Sequence, residues 1–326
     1  MEKGKTLAVI GGGAAGFFCA VNAARMNAGL KVILVEKTTK LLSKVKVSGG
    51  GRCNVTHACF DITEMSRKYP RGGNFVKKAF YQFFTTETIE WFRERQVELK
   101  QEKDGRMFPV SDSSQTIIDC LLNEASTYKI DIRMNAEVKK IDRKESGFQL
   151  SFAAGKTMEA DFVCVASGGY PKSSMFEWLQ SLGHSIEQPI PSLFTFNMPG
   201  HSICQLMGVS VEHVKVKIAG SKLEQEGPLL ITHWGLSGPA ILKLSAWAAK
   251  ELADKGYDFN ILINWVPDYT EQSLADKIQS IRFELAAQKI SSRNPSCTFP
   301  RSSYWPFGPS TNYWYHTCGL KPVQAY

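Results

Sequence analysis

TLAVIGGGAAGFFCAVNAARMNAGLKVILVEK, Thr6 to Lys37, holds two apolar runs on either side of a small-residue segment that opens with three glycines. Leu7 to Ile10 predicts a short buried strand, and Lys31 to Glu36 a second, rich in β-branched residues. Gly11 to Gly16 reads as a turn, and Phe17 to Met26 as a helix with small residues on one side. A strand, a helix and a second strand in this order form a βαβ unit. Its strands must run parallel, because the helix returns the chain to the starting edge.

Within that unit Gly11, Gly13 and Gly16 stand in G-x-G-x-x-G spacing. The first glycine permits the tight turn, the second lets a pyrophosphate approach the backbone, and the third lets helix and strand pack closely. Free amides and the positive helix end then face the phosphates. Glu36 follows Gly16 by twenty residues and closes the second strand, where an acid accepts hydrogen bonds from ribose hydroxyls. An acid there favours an unphosphorylated ribose, as in FAD or NAD, over NADP.

A second glycine segment, "KVSGGGRCNV" (Lys46 to Val55), comes soon after the ribose acid. A simple NAD dehydrogenase usually continues into another βα unit at this point. Exposed backbone here suits a dinucleotide stretched along the protein, with its far end against Ser48 to Asn54, as extended FAD would lie. The alternatives are a glycine-rich surface loop and, for Cys53, a redox nucleophile. "VCVASGG" (Val163 to Gly169) ends a run of short strands, "AEVKKIDR", "GFQLSFA" and "KTMEA". That is a β-meander whose last strand rejoins the parallel sheet.

The composition bounds the rest. At 326 residues with 43% hydrophobic content, the chain is long enough for two domains with sizeable cores. No apolar run approaches the roughly 18 residues of a membrane span, and the N-terminus lacks a signal-peptide core, so a cytoplasmic location is expected. Eight cysteines without a CxxC pair read as free thiols, and no metal site is expected. The net charge of +8 is spread among acidic residues, as in "FRERQVELKQEKDGR", so no nucleic-acid partner and no membrane partner are expected. The expected partner is a small-molecule substrate. Nothing in the sequence sets an oligomeric state.

Helices are expected in the aromatic-rich segment 75–100, broken at the threonines, and in "SSQTIIDCLLNEASTY" with a serine start. The texture changes after Pro189 to a strand-rich section, which a helix-like "EQSLADKIQSIRFELAAQKI" closes. Three divisions follow: 1–190, 191–294 and 295–326. The last is rich in proline and aromatics, lacks acidic residues and reads as an irregular tail.

"GGGAAG…VEK", "LLSKVKVSGGGRCNVT", "GRMFPVSD", "VASGG", "SLGHSI…PSL" and "THWGLSGPAILKLS" together resemble the HI0933-like flavoproteins, over about residues 5 to 294. The resemblance implies an α/β fold, a Rossmann-like FAD-binding domain with parallel sheet and β-meander, carrying an inserted β-rich substrate or cap domain. It implies an FAD-dependent oxidoreductase acting on a small or steroid-like organic substrate, with NAD(P)H as a candidate electron partner. Gly11, Gly13, Ala14, Ala15 and Gly16 would hold the pyrophosphate, and Glu36, with Lys37 beside it, the adenosine ribose. Lys44, Ser48, Gly49, Gly51, Arg52, Cys53 and Asn54 would face the flavin end. Val138 would pair its backbone with the adenine, and Ser167, Gly168 and Gly169 would line the same region. The family pattern continues past residue 294 and this sequence departs from it there, as a truncated or frameshifted gene would. A catalytically impaired remnant, lacking the second half of the cofactor site, is therefore the alternative.

Flavin chemistry needs no protein nucleophile, so the candidate catalytic residues are few. Arg52 is a candidate for stabilising a reduced ring or holding a carboxylate, against a structural salt bridge. Asn54 is a candidate ring hydrogen-bonder, against a helix cap. His233, inside "THWGLSGP", is the candidate for proton handling, against a histidine satisfied within a turn. The other histidines carry no constellation, and Trp234 and Trp247 are expected to pack the inserted domain. An RNA-modifying flavoprotein is a third reading, and it would need a concentrated basic face.

Overall fold

The structure, a computed structural model, describes residues 4–153, 155–170, 176–284 and 314–319. The chain divides into two compact units, Met1–Pro189 and Ile190–Tyr326.

The first unit begins β1 (Thr6–Ile10), α1 (Ala14–Met26) and β2 (Lys31–Val35). The helix starts at Ala14 rather than Phe17, because the chain turns at Gly11 to Gly13 and needs no longer loop. There follow α2 (Ser43–Gly51), β3 (Thr56–His57), α3 (Ile62–Arg67), α4 (Gly73–Phe80), α5 (Thr85–Arg93), β4 (Leu99–Gln101), β5 (Arg106–Pro109) and α6 (Ser114–Thr127). Then come β6 (Asp131–Arg133), the meander β7 (Val138–Lys144), β8 (Gly147–Phe152) and β9 (Thr157–Ala160), then β10 (Phe162–Val165) and the short α7 (Glu177–Gln180).

β10, β1, β2 and β6 form, in that order, a parallel sheet. Successive residues of its central strands face opposite layers. Leu7, Val9, Val32 and Leu34 pack against α1 and α6 with Phe17, Val21, Ile117 and Leu121. Ala8, Ile10, Ile33 and Val35 face the meander, against Ile141, Leu150 and Ala160. Burial on both faces is why "LAVI" and "VILV" read as continuous apolar runs instead of alternating ones. The serine start of α6 is Ser113, whose side chain accepts from the Gln115 amide at 3.3 Å.

The second unit contains β11 (Phe196–Asn197), a 3-10 turn at Ser202–Leu206, β12 (Ser210–Ile218), β13 (Glu224–Thr232), β14 (Gly235–Ser237), α8 (Pro239–Asp254), β15 (Asp258–Asn264) and α9 (Glu271–Glu284). Its six-stranded antiparallel sheet runs β11-β14-β13-β12-β15-β16, where β16 is Trp314–Gly319. Alternating Val214, Val216 and Ile218 of β12, with Leu229, Ile231, Ile261 and Ile263, close over Ile241, Leu244, Ala248 and Leu252 of α8.

Three expectations change here. Within the tail read as irregular, Trp314–Gly319 is a strand paired antiparallel with β15; its short aromatic and β-branched run was outweighed by the surrounding prolines. The remaining residues of 295–326, and the end of the closing helix beyond Glu284, lie outside the described residues. Trp234, in the turn between β13 and β14, and Trp247 are both exposed; on α8 the small and aliphatic residues of the opposite face, not Trp247, fill the core. His213, one of the histidines read as unconnected, stands 3.1 Å from Asp268 and 3.5 Å from Glu226; these carboxylates raise its pKa.

Candidate functional site

The parallel strands β1 and β2 deliver their C-terminal ends to one cleft of about 260 Å3. Chain connections diverge on the two sides of β1, towards β2 and towards β10, which is where open α/β sheets bind ligands. The lining includes Ile10, Gly11, Glu36, Lys37, Val138 and Ser167, drawn from four separate segments of the first unit.

Close backbone contact dictates the glycines. A Cβ on Gly16 would lie 1.8 Å from the Gly11 carbonyl oxygen, and one on Gly11 would lie 2.4 Å from that of Ala166. Gly11 is further held by its amide donating to the Val35 carbonyl at 2.8 Å. Gly13 is different: a Cβ there would meet nothing within 4 Å, so the space beside it is open. Gly13 caps α1 without a side chain, and the amides of Ala14, Ala15 and Gly16 have no acceptor among the described residues. Three free donors at the positive end of a helix suit an anion.

Glu36 directly follows β2, and its carboxylate is fixed. Oε2 accepts from the Gly12 amide at 2.8 Å, while Oε1 accepts from the Thr38 amide and hydroxyl, each at 2.9 Å. Lys37 lies 5.7 Å from the centre of the Tyr170 ring. Gly12, Thr38 and Tyr170 were missed in the sequence; only the middle position of the triple glycine hinted at the first. Val138 starts β7 at an irregularity in its pairing with β8.

The second glycine segment is tied to the first by α2. The Leu42 amide donates to the Gly12 carbonyl at 2.8 Å, so the start of the helix is tied directly to the first glycine turn. It runs regularly to Val47 and breaks at Ser48, whose ψ is 147°. Gly49, Gly50 and Gly51 then take φ of 57°, 70° and 86°, a left-handed run that side chains disfavour. At 1.5 Å per residue, the path from Leu42 to Ser48 is about 9 Å long. Gly50 and Gly51 are exposed, with nothing within 4 Å of a would-be Cβ. A helix here was not expected; the segment reads as a loop because its glycines hide the five helical residues before them. Lys44, on this helix, brings its ammonium to 3.8 Å from a Cβ built on Gly168, which has φ +75°.

The remaining candidates are distributed as follows. Arg52 donates to Glu102 Oε1 at 2.5 Å, stands 3.6 Å from Asp112 and lies over the Phe108 ring at 4.1 Å. The Glu102 hydrogen bond raises its pKa above the ordinary guanidinium value. Asn54 is exposed. Cys53 is buried, and burial pushes its thiol pKa up, which suppresses the thiolate that redox chemistry requires. Iodoacetamide at neutral pH is accordingly expected to spare Cys53 in the native protein and to modify it on unfolding, read by peptide mass spectrometry. Cys120 and Cys19, pushed up by burial to about 11 and about 12, should behave alike. His233 belongs to the second unit, exposed between β13 and β14, with its ring 4.2 Å from that of Trp234. Among the described residues no group of three or more His, Cys, Asp or Glu side chains is gathered for a metal, and no helix is long and apolar enough to cross a membrane.

A family profile described as the HI0933-like protein Rossmann domain matches residues 5–237, and one described as the HI0933-like protein barrel and H2TH domain matches residues 190–295. The chain belongs to the HI0933-like family. Among curated relatives, a 3-dehydro-bile acid delta(4,6)-reductase of Clostridium scindens is 26% identical over 80% of this HI0933-like chain and 64% of the relative. A ribosomal RNA dihydrouridine synthase of Escherichia coli is 29% identical over 85% of this chain and 69% of the relative. The chain thus spans about two thirds of the length of these relatives. A solved flavocytochrome c3 fumarate reductase in its open conformation is 18% identical, with a TM-score of 0.47, over 87% of this chain and 56% of that one.

Proposed function

We propose that the chain is an FAD-dependent oxidoreductase that moves hydride between flavin and a small or steroid-like organic substrate. The observation that carries this reading is the single path from the Gly11–Gly16 turn, through the Gly12–Leu42 hydrogen bond and α2, to the open backbone of Gly50 and Gly51. One long dinucleotide would need such a path, with an anion site at one end and bare backbone at the other. The open side of Gly13 and the unpaired amides after it fit the pyrophosphate.

In this reading Gly11, Gly13, Ala14, Ala15 and Gly16 hold the diphosphate, and Glu36 with Lys37 the ribose. Val138, Ser167, Gly168 and Gly169 bound the adenosine side. Lys44, Ser48, Gly49, Gly51, Arg52, Cys53 and Asn54 bound the flavin side. Arg52, already paired with Glu102, orients and polarises instead of accepting a substrate carboxylate alone. The bound flavin supplies two-electron hydride chemistry, while the protein supplies position and charge. The strand-rich part from 191 to 294 is assigned to substrate selection in this reading, and its His233 to proton handling. A reduced nicotinamide dinucleotide serves as the electron donor.

The relatives' names support the reaction class, since both describe hydrogen added to carbon–carbon double bonds. They also favour a second substrate class, uridine within RNA, which the dispersed charge of the sequence argued against. Turnover of a steroid enone against unmodified RNA, with reduced nicotinamide as donor, separates the two.

The cofactor test is a titration of the full chain with FAD, followed by flavin absorbance and fluorescence. Saturable uptake is expected. Glu36→Gln should weaken it by about 1.5–3 kcal/mol, roughly tenfold to a hundredfold, through loss of charge-assisted ribose hydrogen bonds. Protein that takes up no FAD would overturn the proposal and favour the impaired remnant.

A further inference from the structure

The solvent face of α4 is unlike the rest of the first unit. Phe75 is 80% exposed and Tyr81, at the helix end, 70% exposed. Lys78 stands between them, so an aromatic, a cation and an aromatic recur every third residue in one row. Asn74 and Gln82 flank that row and are also exposed. The opposite side of α4 is committed to the protein: Val76 and Phe80 are partly buried, Phe80 packs 4.9 Å from the Phe84 ring, and Lys77 donates to Thr63 on α3 at 3.1 Å.

Arg67 at the end of α3 is joined by Lys68 and Arg71 in the turn that leads to α4, all exposed. Its Tyr69 ring, 5.9 Å from that of Phe80, fastens this turn to the end of α4. Between Phe60 and Phe84 the only carboxylates are Asp61, which caps α3, Glu64, which pairs with Lys68 at 3.2 Å, and none lies on α4. This is a local concentration of positive charge that the sequence, read end to end, disperses.

We infer that this face binds single-stranded nucleic acid. Aromatic rings stack on bases of any sequence, and interleaved cations follow the phosphates. A membrane-surface helix would segregate its aromatic and basic residues onto different faces, whereas on α4 they share one. The inference rests on the RNA reading of the substrate and is independent of flavin binding.

The test is binding of a fluorescent single-stranded oligouridylate to the full chain across a salt series. Phe75→Ala and Tyr81→Ala should each weaken binding about tenfold with the salt slope unchanged. Lys78→Ala should instead lower the log–log salt slope by about 0.7, one phosphate contact. Thermal melting of the variants checks that the exposed substitutions leave the fold intact. Tight binding that the α4 variants do not weaken would overturn this surface while leaving the RNA reading standing. No binding by the unmodified chain would overturn both. Sedimentation with phosphatidylserine–phosphatidylcholine vesicles, abolished by Phe75→Ala, would overturn the assignment in favour of a membrane.

Discussion

Gly16→Val is expected to abolish FAD uptake and to destabilise the first unit by about 3 kcal/mol or more, at or beyond the upper end of overpacking costs. The first methyl-sized atom would already sit 1.8 Å from the Gly11 carbonyl oxygen, an oxygen on backbone that cannot rotate away. Gly11 is itself pressed against Ala166, so β1, α1 and the chain after β10 interlock at this point. The helix can only move outward, carrying the free amides of Ala14 and Ala15 away from the anion position. Gly13→Ala is the informative companion. Its methyl group meets no protein atom, and its φ of −94° suits alanine, so the N-cap preference for glycine and the lower unfolded-state entropy of alanine oppose one another; stability should change by less than about 1 kcal/mol while FAD uptake falls sharply. Urea melts and FAD titrations of both variants make the comparison. Equal uptake by Gly13→Ala and the unmodified chain would show that the pyrophosphate does not approach this turn.

Glu124→Gln is expected to cost about 3 kcal/mol, the lower end of the range for breaking a buried ion pair. The Arg95 side chain is 9% exposed and that of Glu124 17%, with Nε donating to Oε2 at 2.6 Å. Arg95 also donates to the Trp91 carbonyl at 2.8 Å and lies over the Trp91 ring at 3.9 Å. Trp91 in turn donates to Asn22 on α1 at 3.0 Å. The pair therefore fastens the end of α5 to α6, behind the helix that opens at the glycine turn. Glu94, 3.3 Å from Arg95, offers partial compensation, which is why the lower end applies. Replacing both partners with leucine should restore most of the loss, since no unpaired charge is then buried. A loss below 1 kcal/mol in Glu124→Gln would mean that water screens the pair as it does on a surface.

The arrangement β1–α1–β2 was legible because its signals are local. Continuous apolar runs mark strands buried on both sides, and glycine spacing reports contacts a few residues apart. Glu36 was found by position alone, although its tie to Gly12 and Thr38 was not. The meander was legible from short strands at regular spacing, and its last strand, β10, does join β1 in parallel. Arg52 was left between two readings because its partner, Glu102, stands fifty residues away. Its salt bridge exists only once β4 and β5 bring that loop back to the glycines. The row Phe75–Lys78–Tyr81 is present in the sequence at helical spacing. What hid it was the end-to-end balance of charge, which says nothing of which residues share a face.

By itself, then, the sequence determined the parallel βαβ core, the glycine turn at its switch point and the strand-rich character of the second unit. Each follows from backbone sterics and from burial repeating at short period. Tertiary structure alone decided that α2 links the two glycine segments, that Cys53 is withdrawn from solvent, and that positive charge collects beside α4. Those outcomes depend on which distant surfaces meet, and the free energy of such contacts is written in no single stretch of chain.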